Sequence, residues 1–520
     1  MIHKFFVLFV VIASICSANI TVLADESPNV ILIYADDLGM GLLGHKGQEI
    51  ITTPHIDKLA AEGMSFNNYY GNTYCAPARW SLLTGMHDGR MKSGSHTKGG
   101  YVVKLDKSKP SEEQWKKTFD AFTQKREQVL ATPKHEVFLA QVAQKAGYKT
   151  AQFGKLDEGF LTWHKQLQRR GWDHYVGYYD HVRAHGFYPT YLWKNGEKMY
   201  LEGNTSYTAG KASESGTRPV GSGGLRYSQD VFLKEMLSFI RENKNKKFFL
   251  YHPTQLPHGP VAVNELHPDY EGRDDLTLSE KKYATMVKML DDHVGVIMDE
   301  LKALNLDDKT LVIFTSDNGH ETYYMNRNRQ LPKSNSRKLQ KADGSKANFT
   351  DDKWRTSNGG DTFNGAAGMA GLKWSVFQGG IHCPMIARWP GQIEPSSKSE
   401  KLATHYDFMA TLADLLHVER PSGKGSVSYL STLLGRGEVE HHEWIFIRYG
   451  KAFASATLIT EDGWKLIALK NGEFHLYKLT EDPLEENEIS EKYPEILESL
   501  KKVYKQQNNS KRPDLLLGKK

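Results

Sequence analysis

Cysteine is scarce in this 520-residue chain, which contains only Cys16, Cys75 and Cys383. So few cysteines exclude a fold stapled by many disulfides. Long apolar runs are also scarce. The one that stands out, Phe5 to Cys16, follows Lys4 and precedes the small-residue stretch Val22-Leu23-Ala24. It is too short for a stable bilayer anchor and reads as a secretory signal cleaved after Ala24. Lipidation at Cys16 is the lesser alternative, because Ile15 before it is bulky. No later run is apolar enough to cross a membrane, so the mature protein is expected to be soluble and secreted or periplasmic. A strong charge excess is missing too: 67 Lys and Arg against 62 Asp and Glu leave +5. That balance gives no reason to expect nucleic acid as a partner, although a local basic patch still suits an anionic ligand. Internal repeats are absent.

What is present is ordinary globular material. Hydrophobic residues make up 39% and charged residues 25%, with ten Trp and 25 Tyr. This supports a sizeable core and rules out a mainly disordered or fibrous chain. The length predicts either several domains or one large domain with an appendage.

Buried apolar runs alternate with amphipathic helices, which predicts an α/β architecture with a large, mostly parallel sheet. Strands are expected at 29–35, 148–153, 247–251, 311–315 and 384–389. Thr53-Pro54 predicts a helix start, ended by Gly63. Further helices are expected at 135–146 and, capped by Ser279, up to about Leu304. That last helix carries Tyr283, Val287, Leu290, Val294, Ile297 and Leu301 on one side. From about Gly435 the pattern changes to short alternating strands with turns at Glu461-Asp462-Gly463 and Asn471-Gly472, then a helix at 493–506. The domains expected are a signal at 1–24, a catalytic domain at 25–435 and a smaller C-terminal α+β subdomain with an antiparallel sheet at 436–520. The polar stretch 326–363 reads as a loop.

Open α/β sheets place ligands at the carboxyl ends of their strands. Here those ends carry Asp36-Asp37, Gly154-Lys155, Pro257-His258-Gly259-Pro260 and Asp317-Asn318-Gly319. Any one of these dipeptides also makes turns or caps. Together they form a hard-oxygen set suited to Ca²⁺ or Mg²⁺ rather than Zn²⁺. Cys75 precedes Pro77 at an expected helix start, in the positive field of the helix dipole and near Arg79. A lone Cys there also reads as a small buried hydrophobe. With the signal removed, Cys75 and Cys383 either form one bridge or leave one of the two for chemistry.

The run Cys75 to Gly85 (CAPARWSLLTG) resembles the signature of the formylglycine-dependent sulfatases, of the alkaline-phosphatase-like superfamily. The same family pattern is seen in Pro28 to Gly39, Thr53 to Gly63, Phe153 to Lys155, Pro257 to Pro260 and Ser316 to Gly319. Gly371, Lys373 and Gly379-Gly380 complete it. The resemblance implies that a formylglycine-generating maturation enzyme oxidises Cys75 to formylglycine (3-oxoalanine), whose hydrate attacks sulfur. Its second hydroxyl then lets sulfate leave. The resemblance further implies Asp36, Asp37, Asp317 and Asn318 as Ca²⁺ ligands. Arg79 would anchor the diol and the metal ligands, Lys155 and Lys373 would neutralise sulfate, and His258 would bind it or protonate the departing oxygen.

One position departs from the pattern: Asp157 stands where the family usually has His after Gly-Lys. His181 or His185 is expected to fill that gap as a substrate-binding residue, together with Asp157 itself. The basic stretch from Arg327 to Lys346 reads as either a solvated loop or a border of the substrate cleft. Tyr323, Tyr324, Trp354 and Trp374 are candidates for stacking on sugars. The expected function is hydrolysis of sulfate esters on a sulfated polysaccharide or glycosaminoglycan fragment. Two alternatives stand beside it: a phosphonate or phosphate ester hydrolase of the same superfamily, and an inactive homologue that binds sulfated glycans. Phosphatases of that superfamily need several His ligands for a second metal, and His320 is the only one near Asp317.

Overall fold

The computed structural model describes residues 27–90, 99–128, 136–156, 159–205, 224–324, 353, 355–448 and 455–509. The signal, Asp157, Trp354 and the Arg327–Lys346 stretch lie outside these residues.

Asn29–Ala35 is buried along its whole length, because it is the middle of a ten-stranded sheet with both faces covered. It pairs in parallel with Phe248–Pro253 on one side and Thr310–Ser316 on the other. Lys149–Gly154 joins beyond Phe248–Pro253, and His174–Gly177 beyond that, both parallel. Each fully buried Ile or Leu of these runs contributes about 1.5–3 kcal/mol. The registers Ala35↔Ser316 and Tyr34↔Pro253 bring the carboxyl ends of neighbouring strands level.

The sheet is mixed at its edges. Met385–Arg388, read from sequence only as another buried strand, runs antiparallel to Thr310–Ser316. Met64–Phe66 and Ser397–Ser399 continue that side, and the hairpin Tyr191–Lys194 with Glu197–Tyr200 closes the other. Alternation along Asn29–Ala35 divides the core. Ile31 and Ile33 pack under the long helix Leu278–Ala303, while Val30, Leu32 and Tyr34 face the helices Leu139–Lys145 and Phe408–Leu415.

Several boundaries differ from expectation. The long helix is capped by Thr277, not Ser279: the Glu280 amide donates to Thr277 Oγ1 at 3.3 Å, and the Thr277 amide donates to Glu280 Oε2 at 2.7 Å. Thr53 precedes the helix Pro54–Ala61 without capping it, since its hydroxyl donates to Asp57 at 3.0 Å instead. The helix expected from 135 begins at Leu139. Cys75 and Cys383 are both free and buried, so the single-bridge reading is overturned.

A second, four-stranded antiparallel sheet follows in the order Trp444–Arg448, Ala456–Thr460, Trp464–Ala468, Phe474–Lys478, with the helix Pro494–Asn509 against it. No helix among the described residues is long and apolar enough to cross a membrane.

Candidate active site

The level strand ends bring Asp36, Lys155 and Asp317 to one edge of the sheet. Asp37 turns the chain at φ 64°, a left-handed conformation uncommon outside glycine. There its amide donates to Asp317 Oδ1 at 3.0 Å and its Oδ1 accepts from Asn318 Nδ2 at 2.8 Å. All four of these oxygen-bearing residues are fully buried. Gly154, at φ +135°, lets the chain turn into Lys155 where a Cβ would lie 2.2 Å from the Pro253 carbonyl. Lys155 Nζ then donates to Asp36 Oδ2.

Cys75 opens the helix Cys75–Thr84, which Gly85 ends in the left-handed conformation. The Cys75 sulfur lies with carboxylate oxygens of Asp36 and Asp317, all within 4.8 Å of one another. One turn on, Arg79 reaches Asp36 at 3.5 Å and Asp317 at 3.6 Å, and donates to the Leu156 carbonyl at 3.4 Å. Lys373 Nζ donates to Asp37 Oδ2 at 2.7 Å and lies 3.0 Å from His258 Nε2. Its neighbour Trp374 sits at φ 79°, held by its amide on the Thr73 carbonyl at 2.6 Å and by stacking on Tyr74 at 4.6 Å. A bulky side chain at that φ is a strained conformation, of the kind that clusters at functional sites.

His185 stacks on His258 with ring centroids 4.8 Å apart, and His181 meets His185 edge-on at 4.3 Å. The two histidines thus extend the cluster outwards from His258. Nine of the residues singled out from sequence therefore converge, and His181 and His185 flank them. Two sugar-stacking candidates are reassigned. Tyr324 is fully buried and bonded to His320 at 2.8 Å, so it offers no face to a sugar. Tyr323 instead donates to Asp37 Oδ2 at 2.5 Å and lies 3.3 Å from Lys373 Nζ. Only its place six residues after Asp317 hinted at this.

The charges in this buried cluster set one another. Burial raises carboxylate pKa values, but Lys155 above all outweighs it at Asp36, and Lys373 and then His258 at Asp37, so both are held below the ordinary range. Burial and the charges of Asp36 and Asp37 push Asp317 well above it. Burial, with Lys373 next, lowers His258 to about 4, leaving it neutral. The thiol of Cys75 is pushed up by burial, so in this pocket it is a poor thiolate nucleophile.

Three carboxylates thus face three cations, Arg79, Lys155 and Lys373. Yet Asp36 Oδ1, Asp317 Oδ2 and Asn318 Oδ1 are buried without accepting any hydrogen bond. Such oxygens are costly unless a cation takes them, and an all-oxygen set fits a hard divalent ion. With that ion bound the cluster would carry an excess of positive charge, matched to an anionic sulfate group.

The chain matches the Sulfatase family over residues 28–418 and the C-terminal family of N-sulphoglucosamine sulphohydrolase over 372–510. It is 26% identical to an N-acetylgalactosamine-6-O-sulfatase of Bacteroides thetaiotaomicron, covering 92% of each chain. With human N-acetylgalactosamine-6-sulfatase the identity is 27%, over 84% of this chain and 71% of the human one. In fold it resembles the crystal structure of Ps i-CgsB bound to k-i-k-neocarrahexaose, with a TM-score of 0.67 and 21% identity over 94% of each chain. With the family signature, the metal-ready oxygen cluster and these relatives in agreement, the chain belongs to the sulfatase family and is a sulfuric ester hydrolase.

Proposed function

We propose that this is an exported, calcium-dependent sulfatase that removes sulfate from a sulfated glycan through a formylglycine at position 75. Glycosaminoglycan fragments bearing N-acetylgalactosamine 6-sulfate are the first substrates to test, because two relatives are named for that sugar. The observation that carries the reading is the grouping of Cys75, three unsatisfied buried oxygens and two lysines at one strand edge.

Asp36, Asp37, Asp317 and Asn318 would hold calcium, which when bound polarises the sulfate oxygens. A formylglycine at position 75 would supply, as its hydrate, one hydroxyl to attack sulfur as the sugar oxygen leaves and a second whose loss of a proton would expel sulfate. The other residues act on the substrate itself. Lys155 and Lys373 donate to sulfate oxygens, and their ammonium groups offset the charge that grows there. Arg79 keeps the Asp36 and Asp317 carboxylates in place beside position 75. The ring of His258 bonds the Gly259 carbonyl through Nδ1, which fixes the Nδ1–H tautomer and turns the Nε2 lone pair to Lys373. With one Lys373 N–H held by that lone pair, another proton of the Lys373 ammonium would go to the departing sugar oxygen. His181 and His185, both neutral because burial and neighbouring positive groups lower their pKa, line the side where the sugar would enter.

The phosphoryl alternative draws no support from the histidine that follows Asp317-Asn318. His320 is committed to Tyr324, and burial lowers its pKa.

The test is sulfate release, by ion chromatography, from a panel of sulfated oligosaccharides after co-expression with a maturation enzyme. Release is expected from protein in which the mass of the Cys75 peptide shows conversion, and none from Cys75→Ala. Converted protein that releases no sulfate from any glycan would overturn the reading and move the search to phosphonate esters.

A further inference from the structure

Lys373 and Trp374 are the central residues of a turn closed by the Ser375 amide on the Leu372 carbonyl at 2.9 Å. The turn is pinned to two segments of the catalytic cluster. The Lys373 amide donates to the His320 carbonyl at 2.8 Å, just after Asn318 in the chain, and the Trp374 amide to the Thr73 carbonyl at 2.6 Å, just before Cys75. Trp374 takes the second central position, with φ 79°. A φ near +80° there is the geometry of a type II turn, which gives that place to glycine or asparagine because a Cβ strains it. Glycine would close this turn without strain, yet the residue present is a tryptophan.

Packing does not account for that choice. An indole that served the core alone would be buried, and its burial would offset the strain. Trp374 is partly exposed, and so is Tyr74, on which it stacks at 4.6 Å and 23°. The groups beside them in the chain are not: Cys75 is 3% exposed and Lys373 2%. The paired rings therefore stand at the rim of a buried cluster, each the chain neighbour of one of its members. Residues held in a strained backbone conformation by their surroundings cluster at ligand clamps and active sites.

The indole is also within reach of the substrate. Its ring centroid lies 5.5 Å from Lys373 Nζ. A sulfate oxygen accepting from that ammonium sits roughly 2.8 Å away, and the esterified sugar carbon follows just beyond. On the other flank Lys373 meets His258, on which His185 stacks. A pyranose carries an apolar C–H face that an aromatic ring can cover, and inorganic sulfate carries none.

We propose that Trp374, braced by Tyr74, is a specificity-determining residue: the exposed part of its indole bears on the apolar face of the pyranose whose sulfate Lys373 holds. The proposal deepens the glycan-sulfatase reading above and rests on it. It makes the enzyme prefer a sugar sulfate over sulfate alone, at some cost to the stability of the turn.

The test titrates full-length Cys75→Ala protein, with calcium present, with N-acetylgalactosamine 6-sulfate and with inorganic sulfate by calorimetry. The same is done after adding Trp374→Phe, Trp374→Ala or Trp374→Gly. Ala and Gly should weaken binding of the sugar sulfate about 3- to 10-fold, Phe should keep most of it, and inorganic sulfate should lose no affinity. In matured enzyme the same loss should appear in KM. In urea, Trp374→Gly should unfold at a higher concentration than Trp374→Ala, because only glycine relieves the backbone. Undiminished sugar binding in the Ala and Gly variants, an equal loss for inorganic sulfate, a Gly variant no more stable than Ala, or no binding of the sugar sulfate to the parent would overturn the proposal. Undiminished binding in an enzyme that does desulfate glycans would remove the role of Trp374 alone. Ring-dependent binding in a converted protein that desulfates no glycan would leave that role standing and remove the catalytic reading instead.

Discussion

At the scale of single residues, Tyr323 is the clearest addition to the family pattern. Its hydroxyl meets Asp37 and Lys373 together, and its ring lies 5.0 Å from that of His258. Burial, and then the Asp37 carboxylate, push its pKa well above that of an ordinary phenol, so it remains a donor across the working range. A hydrogen bond to a charged group is worth about 1.5–3 kcal/mol. Tyr323→Phe should therefore lower kcat/KM at least tenfold and weaken calcium binding in a titration of the unmatured protein, with the melting temperature nearly unchanged. Unaltered calcium affinity and turnover would reduce Tyr323 to packing. Lys373 is a harsher case, because losing one donor at a developing oxyanion costs about 10²–10³ in kcat. Lys373→Ala should lose that much.

At the scale of elements, the loop that carries Lys373 is held from the second sheet. The Gln378 amide donates to Glu485 Oε2 at 2.9 Å, and Glu485 Oε1 pairs with Lys465 at 2.5 Å, both residues fully buried. Beneath them Val376 and Phe377 pack on Ile467 and Tyr477. From the same loop the Gly379 and Gly380 carbonyls accept the His320 and Gly319 amides at 3.1 and 2.9 Å, directly after Asp317-Asn318. A Cβ on Gly319 would meet the Gly379 carbonyl at 2.0 Å, so glycine is required there. Removing one partner of a buried ion pair typically costs about 3–5 kcal/mol. Glu485→Gln should lose stability on that order in urea unfolding, and Lys465→Met combined with Glu485→Gln should recover part of it. If calcium binding is unaffected in the double variant, the clamp serves stability alone.

These elements also show what sequence can and cannot reveal. Strands buried on both faces announce themselves as continuous apolar runs, so Asn29–Ala35 and Thr310–Ser316 were legible. The Asn471-Gly472 turn likewise marked the second sheet. An apolar run carries no direction, which hid the antiparallel course of Met385–Arg388. Thr277 and Ser279 are both good caps, and only Glu280 three residues after Thr277 decides between them. The Glu485–Gln378 and Tyr323–Asp37 bonds join residues 107 and 286 positions apart and leave no local trace.

At the scale of the whole molecule, burying so many histidines makes the fold sensitive to acid. His87 and His405 are lowered to about 3, and His252 and His382 to about 4, in each case chiefly by burial. Unfolded, these rings titrate near pH 6.5, so below that pH the unfolded chain takes up protons that the folded chain refuses. Stability is then fully present above about pH 6.5 and falls as the pH drops towards 4. Asp88 works the other way. Burial, opposed by Arg448, raises it to about 6, so its contribution weakens the fold as pH rises from about 4 to 6. These four histidines against Asp88 contribute a net uptake of about three protons on unfolding near pH 5, or about 4 kcal/mol per pH unit from these five groups alone. Whole-domain stability is only about 5–15 kcal/mol, so a slope of that size should leave the apoprotein markedly less stable at pH 5 than at pH 7. Urea denaturation between pH 5 and 7 measures the slope, and His405→Gln, which can still accept from Tyr34, should reduce it by about one proton. A stability that stays level from pH 7 to 5 would mean that these rings take up protons in the folded state as readily as in the unfolded chain.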